Sequence, residues 1–133
     1  MTTNHLGLQF HPRAGTLLIC DFRGMVAPEI TKKRPVIVVT PRLAHRDELA
    51  MIVPTSTTPP RYPQPFHVRL SQNYHPTEDS SIPVWAKCDL VCSVSFARLD
   101  RFKTGFRKFE TPSISAADLD AVRAGIRAAL GFP

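Results

Sequence analysis

No stretch of this 133-residue sequence approaches the run of about 18 apolar side chains that a membrane-spanning helix needs. The opening MTTNHLGLQF also lacks the basic start and apolar core of a secretory signal. The expectation is a cytoplasmic protein with no membrane partner. Cysteine is scarce: Cys20, Cys88 and Cys92 are odd in number and have no CxxC spacing, which argues against a disulfide framework and a zinc knuckle. They read as reduced packing residues. No carboxylate cluster or histidine pair stands at metal-ligand spacing. Acidic residues are outnumbered, 11 against 17 Lys and Arg, and the formal net charge of +6 favours nucleic acids or acidic polypeptides as partners.

No repeat and no linker divides the chain, so the expectation is a short tail over residues 1–14 followed by one domain over residues 15–133. Short β-favouring runs are predicted as strands at Gly15 to Phe22, Pro35 to Thr40, Leu49 to Pro54 and Phe66 to Leu70. One or two more are expected between Val84 and Leu99, while DRFKTGFRKF is ambiguous. Two polar loops intervene, TSTTPPRYPQP, a candidate binding rim, and SQNYHPTEDSSIP. Near the C-terminus Ser115 is placed to cap a helix with Asp118 in its first turn, and Leu119, Val122, Ile126 and Leu130 form one apolar stripe. Gly131 and Pro133 end it. The predicted fold is mainly β: an antiparallel, curved sheet of five to seven strands closed into a small barrel by the helix.

The densest chemistry lies in APEITKKRPVIVVT, where Glu29, Lys32, Lys33 and Arg34 crowd the entry to the central strand. Glu29 is followed five positions later by Arg34-Pro35, and the next strand ends in Val53-Pro54-Thr55-Ser56-Thr57. The order of GTLLICDF, EITKKRPVIVV, IVPTSTTPP and VWAKCDLVCSVSFARL resembles the MazF/PemK family of ribonuclease toxins from bacterial toxin-antitoxin systems. The E-x4-RP and V-P-x-[ST]-[ST] patterns carry the resemblance, which runs from about residue 15 to about residue 130.

That resemblance implies an SH3-like barrel and metal-independent endonucleolytic cleavage of single-stranded RNA by ribose 2'-OH attack, with no cofactor. It implies a homodimer whose groove binds RNA, and a cognate antitoxin that blocks the groove with an acidic segment. By position, Arg34 matches the family's catalytic arginine, Ser56 with Thr57 beside it its hydroxyl position, and Glu29 its loop acid. Asp89 falls where several members have an acidic residue. Thr16 departs from the Asp common after the first Gly, and RYPQPFHVRLSQNYHPTEDSSIP is longer than in compact members, a difference that bears on substrate choice.

Physically, a guanidinium offers a rigid two-pronged donor to phosphorane oxygens, which makes Arg34 the candidate for transition-state stabilisation. Ser56 or Thr57 offers a hydrogen bond to a non-bridging oxygen, and Glu29 or Asp89 an acceptor for the 2'-OH proton. Lys32 and Lys33, with Arg61, Tyr62 and Lys87, make up the expected RNA-facing set. Tyr62 and Tyr74 are the loop tyrosines suited to base stacking, while Trp85 and Phe96 are expected in the core. The histidines, His5, His11, His45, His67 and His75, lie outside the matched motifs, and His11 reads as a solvated tail residue. Without the resemblance, Arg34 and Glu29 make an ordinary surface ion pair. The rival reading from another class is a non-enzymatic inhibitor like the gyrase poisons, which act through a C-terminal helix on this type of barrel.

Overall fold

The computed structural model describes residues 7–133; His5 and the first part of the expected tail lie outside the described residues. The frame comes from three runs rich in apolar residues, β1 (Leu17–Asp21), β2 (Lys33–Val38) and β3 (Leu49–Ser56). β2 lies between the other two and is antiparallel to both, so Val36, Ile37 and Val38 are buried on both faces. Strand alternation divides the side chains between two cores. Leu18, Cys20, Val36, Val38 and Ile52 join Phe22 and Leu99 on one face; Leu17, Ile37 and Val53 join Ala86, Phe102 and Val122 on the other.

The remaining strands are β4 (His67–Arg69), β5 (Trp85–Lys87), β6 (Cys92–Ser95), β7 (Leu99–Asp100), β8 (Phe102–Gly105) and β9 (Lys108–Glu110). Where one or two strands were expected from Val84 to Leu99, there are three, separated by 3-10 turns at Cys88–Leu90 and Phe96–Arg98. Ser95 caps the second turn by accepting the Ala97 amide hydrogen at 3.1 Å. The ambiguous segment forms the β8–β9 hairpin.

The main sheet runs β4-β5-β3-β2-β1-β7, with β6 also paired to β3. The mainly β class with one C-terminal helix is as expected, but the sheet is not closed as a barrel. Closure fails because β3 spends one edge on two partners, β6 along Leu49 to Ile52 and β5 at Thr55 and Ser56. The last strand on that side, β4, then meets the helix α1 (Ala116–Ala129) rather than another strand.

Ser115 caps α1, its Oγ accepting from the Asp118 amide at 3.1 Å. Val122 is fully buried, and Leu119 and Ile126 pack on the second core. The stripe stops there: Leu130 is 59% exposed, because the chain turns away at Gly131, whose φ of 80° suits a helix-ending residue. At Gly125 a Cβ would lie 2.7 Å from both Cys88 Sγ and Val68 Cγ2, so glycine lets the helix sit close to the turn after β5.

The segment ahead of Gly15 is no loose tail over its described part. Leu8 is buried and donates its amide to Phe96 O at 3.0 Å, and Pro12 is fully buried. His11, read as solvated, instead meets Phe96 edge-on at 5.3 Å between centroids, and its two ring nitrogens are buried with no hydrogen-bond partner among the described residues.

Candidate active site

Antiparallel register brings the two motif ends together. Val36 pairs with Pro54, and continuing that register by two residues sets Arg34 across from Ser56. Thr55, buried between them, donates its Oγ1 hydrogen to Pro35 O at 3.0 Å and ties β3 to β2 beside the arginine. Ser56 Oγ accepts from the Thr58 amide at 3.1 Å, which leaves its own hydrogen to donate. The Arg34 side chain is exposed, and its guanidinium has no hydrogen-bond or ion-pair partner among the described residues. Arg34, Ser56 and Thr57 all line one cavity of about 130 Å³.

Two predicted residues are not brought to that cavity. Glu29 folds back on its own loop, accepting the Val26 amide at 2.7 Å, and lines a separate apolar depression with Phe22, Pro54 and Cys92. The ordinary ion pair with Arg34 is likewise not formed among the described residues. Asp89 sits exposed on the 3-10 turn after β5, outside the cavity lining. Its charge adds to burial in pushing the Cys88 thiol up to about 12. Cys20, also buried, is likewise pushed up to about 12, chiefly by burial, and burial raises Cys92. All three are free thiols, in keeping with packing residues.

The expected RNA-facing residues are spread around the rim. Lys32 is exposed in the loop before β2, and Lys33 lines another depression with Asp21, Arg23 and Arg98. In the Pro-rich loop after β3, Arg61 stacks on Tyr62 at 5.4 Å, and Tyr62 is 69% exposed. Lys87 is half-buried on β5 opposite His67. Phe96 is in the core as expected, whereas Trp85 is half-buried and carries Arg69 over its ring at 5.8 Å.

The far wall of the cavity comes from the second polar loop, between β4 and β5. It supplies Asn73, Tyr74, His75 and Glu78, none of which the motifs single out as catalytic. The available signal was the concentration of ionisable and amide side chains in NYHPTE. Tyr74 is not a free stacking platform: its hydroxyl donates to Asp118 Oδ2 at 2.7 Å and accepts the Ser115 amide at 3.1 Å. The same Asp118 oxygen accepts Ser71 Oγ at 2.7 Å and Ser71 N at 3.0 Å. Burial alone would raise the Asp118 carboxyl, but the hydrogen bonds from Tyr74 and Ser71 outweigh it and hold the group below its usual range. Among the described residues no group of three or more His, Cys, Asp or Glu is placed to hold a metal ion, and no helix is long and apolar enough to cross a membrane.

Residues 13–130 match the family described as PemK-like, MazF-like toxin of type II toxin-antitoxin system. Comparison with curated proteins finds no match. Among solved structures, MazF from Deinococcus radiodurans superposes with a TM-score of 0.68 at 22% identity, over 93% of this chain and 100% of that one. An endoribonuclease in complex with its cognate antitoxin, from a mycobacterial species, gives 0.63 at 17%, over 92% and 98%. Mycobacterium tuberculosis toxin MazF-mt6 gives 0.55 at 15%, over 89% and 98%. At these identities the structural likeness shows the shared fold, and the family match extends over nearly the whole chain. The chain belongs to the PemK-like, MazF-like toxin family of type II toxin-antitoxin systems.

Proposed function

We propose that this protein is an endoribonuclease toxin that cuts single-stranded RNA by attack of a ribose 2'-oxygen on the adjacent phosphorus. The single observation that carries this reading is the union of Arg34 and Ser56 at one cavity, with the guanidinium unengaged. As the 2'-oxygen bonds to phosphorus and the bond to the 5'-oxygen breaks, charge builds on the non-bridging oxygens. Arg34 meets that charge with fixed paired donors, and the Ser56 or Thr57 hydroxyl adds another. Because the nucleophile belongs to the substrate, this route calls for no metal-activated water. The products are a cyclic phosphate and a 5'-OH end.

The net charge of +6 supports binding of RNA and of an acidic antitoxin segment, which are proposed to share the cavity face. Lys32, Lys33, Arg61 and Lys87 are proposed to attract phosphate and Tyr62 to stack a base. A solved relative in complex with its cognate antitoxin supports the antitoxin as a partner here, and a homodimer is proposed as the working unit.

The test is cleavage of a long unstructured RNA in EDTA by the parent protein and Arg34→Ala, with the new ends mapped. The parent is expected to leave 5'-OH ends at a repeated short sequence, and Arg34→Ala to be slower by about 10²- to 10³-fold. Intact RNA after incubation with folded, antitoxin-free parent protein overturns the reading in favour of a binding-type inhibitor.

A further inference from the structure

The proposed reaction needs an acceptor for the 2'-OH proton, and neither Glu29 nor Asp89 lines the cavity. One carboxylate does: Glu78, from the loop between β4 and β5. Its mount is rigid. Asn73, only 6% exposed, donates from Nδ2 to Glu78 Oε1 at 2.9 Å and to Asp79 O at 3.3 Å. Asn73 Oδ1 accepts the His75 amide at 3.1 Å, and its own amide bonds Ser80 O at 3.0 Å. A buried side-chain amide engaged at both ends has little freedom to reorient.

The other carboxylate oxygen accepts no hydrogen bond among the described residues. Glu78 Oε2 lies 3.7 Å from His75 Nε2, and the Glu78 side chain is 43% exposed. His75 is itself held, edge-on to Phe102 at 4.7 Å and with Nδ1 accepting the Thr77 amide at 3.3 Å. That bond makes Nε2 the proton-bearing nitrogen of the neutral ring, turned toward Glu78. The remaining ionisable groups on the cavity wall are Arg34, which does not give up its proton, and Tyr74, whose hydroxyl is committed to Asp118.

We infer that Glu78 is the general base of this enzyme, with Asn73 and His75 as its positioning residues; the inference rests on the RNA-cleavage reading of the same cavity. Glu78 Oε2 takes the 2'-OH proton as the 2'-oxygen bonds to phosphorus. The bond from phosphorus to the 5'-oxygen breaks, and that oxygen takes a proton from solvent water. The hydroxide so formed removes the proton from Glu78, leaving a 2',3'-cyclic phosphate, a 5'-OH end and the carboxylate restored.

The experiment measures kcat and KM for the parent, Glu78→Gln, Glu78→Ala and Arg34→Ala on an RNA with one cleavage site. Binding is measured to the same RNA carrying 2'-deoxyribose at that site. Glutamine keeps an oxygen for Asn73, so the loop stays in place while the base is lost. Glu78→Gln is expected to lower kcat by about 10²- to 10³-fold, with KM and deoxy-RNA affinity within about twofold of the parent. Added formate is expected to restore part of the Glu78→Ala rate by supplying a carboxylate to the vacated space. A Glu78→Gln kcat within about threefold of the parent, or a loss confined to KM, overturns the assignment. If Arg34→Ala is inactive while Glu78→Gln cuts normally, only the base is misassigned; if the parent leaves RNA intact, both readings fall.

Discussion

Asp118 joins the helix to the loop that forms the far wall of the cavity, and removing its carboxylate should loosen both. In Asp118→Ala one oxygen that accepts Tyr74 OH at 2.7 Å, Ser71 Oγ at 2.7 Å and Ser71 N at 3.0 Å disappears. A hydrogen bond to a charged group contributes about 1.5–3 kcal/mol, but two of the donors belong to exposed Ser71 and regain water. The sum is therefore less than three independent bonds, and a loss of about 2–4 kcal/mol is expected. The Ser115 cap survives, since it uses the Asp118 amide. Tyr74→Phe should cost about 1–2 kcal/mol, and the double variant less than the sum, because both changes remove the same bond.

The pH dependence has a defined sign. The folded-state carboxyl is held below its ordinary value of about 3.9, so its stabilisation is fully present above that value and is lost as pH falls through the lower folded value. Urea unfolding at pH 7 and in an acid series checks this. The stability gap between the parent and Asp118→Asn should narrow as the carboxylate protonates. An Asp118→Ala protein within about 0.5 kcal/mol of the parent, or a gap that widens toward acid pH, refutes the account. RNA cleavage should fall in Asp118→Ala under conditions where the protein is still folded, since the loop carrying Glu78 loses its anchor.

Gly125→Ala gains about 1 kcal/mol of helix propensity but sets a methyl 2.7 Å from Cys88 Sγ and Val68 Cγ2, an overpacking that costs about 1–3 kcal/mol. A net loss of about 1 kcal/mol in urea melts is expected, and a stabilised variant would show that the helix moves away freely. Because burial raises all three thiols, a disulfide reagent at pH 7.5 should leave Cys20 and Cys88 unmodified in the native protein and spare RNA cleavage. All three should react once urea unfolds the chain; rapid native labelling of Cys88 would contradict its packing under α1.

The amino-acid sequence by itself determined the parts of this protein that depend on neighbours along the chain. Short apolar, β-favouring runs specify β1, β2 and β3, and Ser115, Asp118 and the apolar spacing specify α1, because pleat, cap and helical period act over a few residues. The Arg34 and Ser56 pair was legible as well, since antiparallel pairing of β2 with β3 carries two local motifs to one level. Glu29 does not line the Arg34 cavity, because its carboxylate finds a nearer donor, the Val26 amide three residues back. Leu130 continues the helical spacing, yet the core ends one turn earlier. Only the tertiary structure decided what stands opposite Arg34. Tyr74 and Asp118 are 44 residues apart, and their hydrogen bond folds a polar loop over the cavity and delivers His75 and Glu78 to its wall. No local propensity encodes that contact, because its stability arises when burial of the helix brings donor and acceptor together in a site where water no longer serves either of them well.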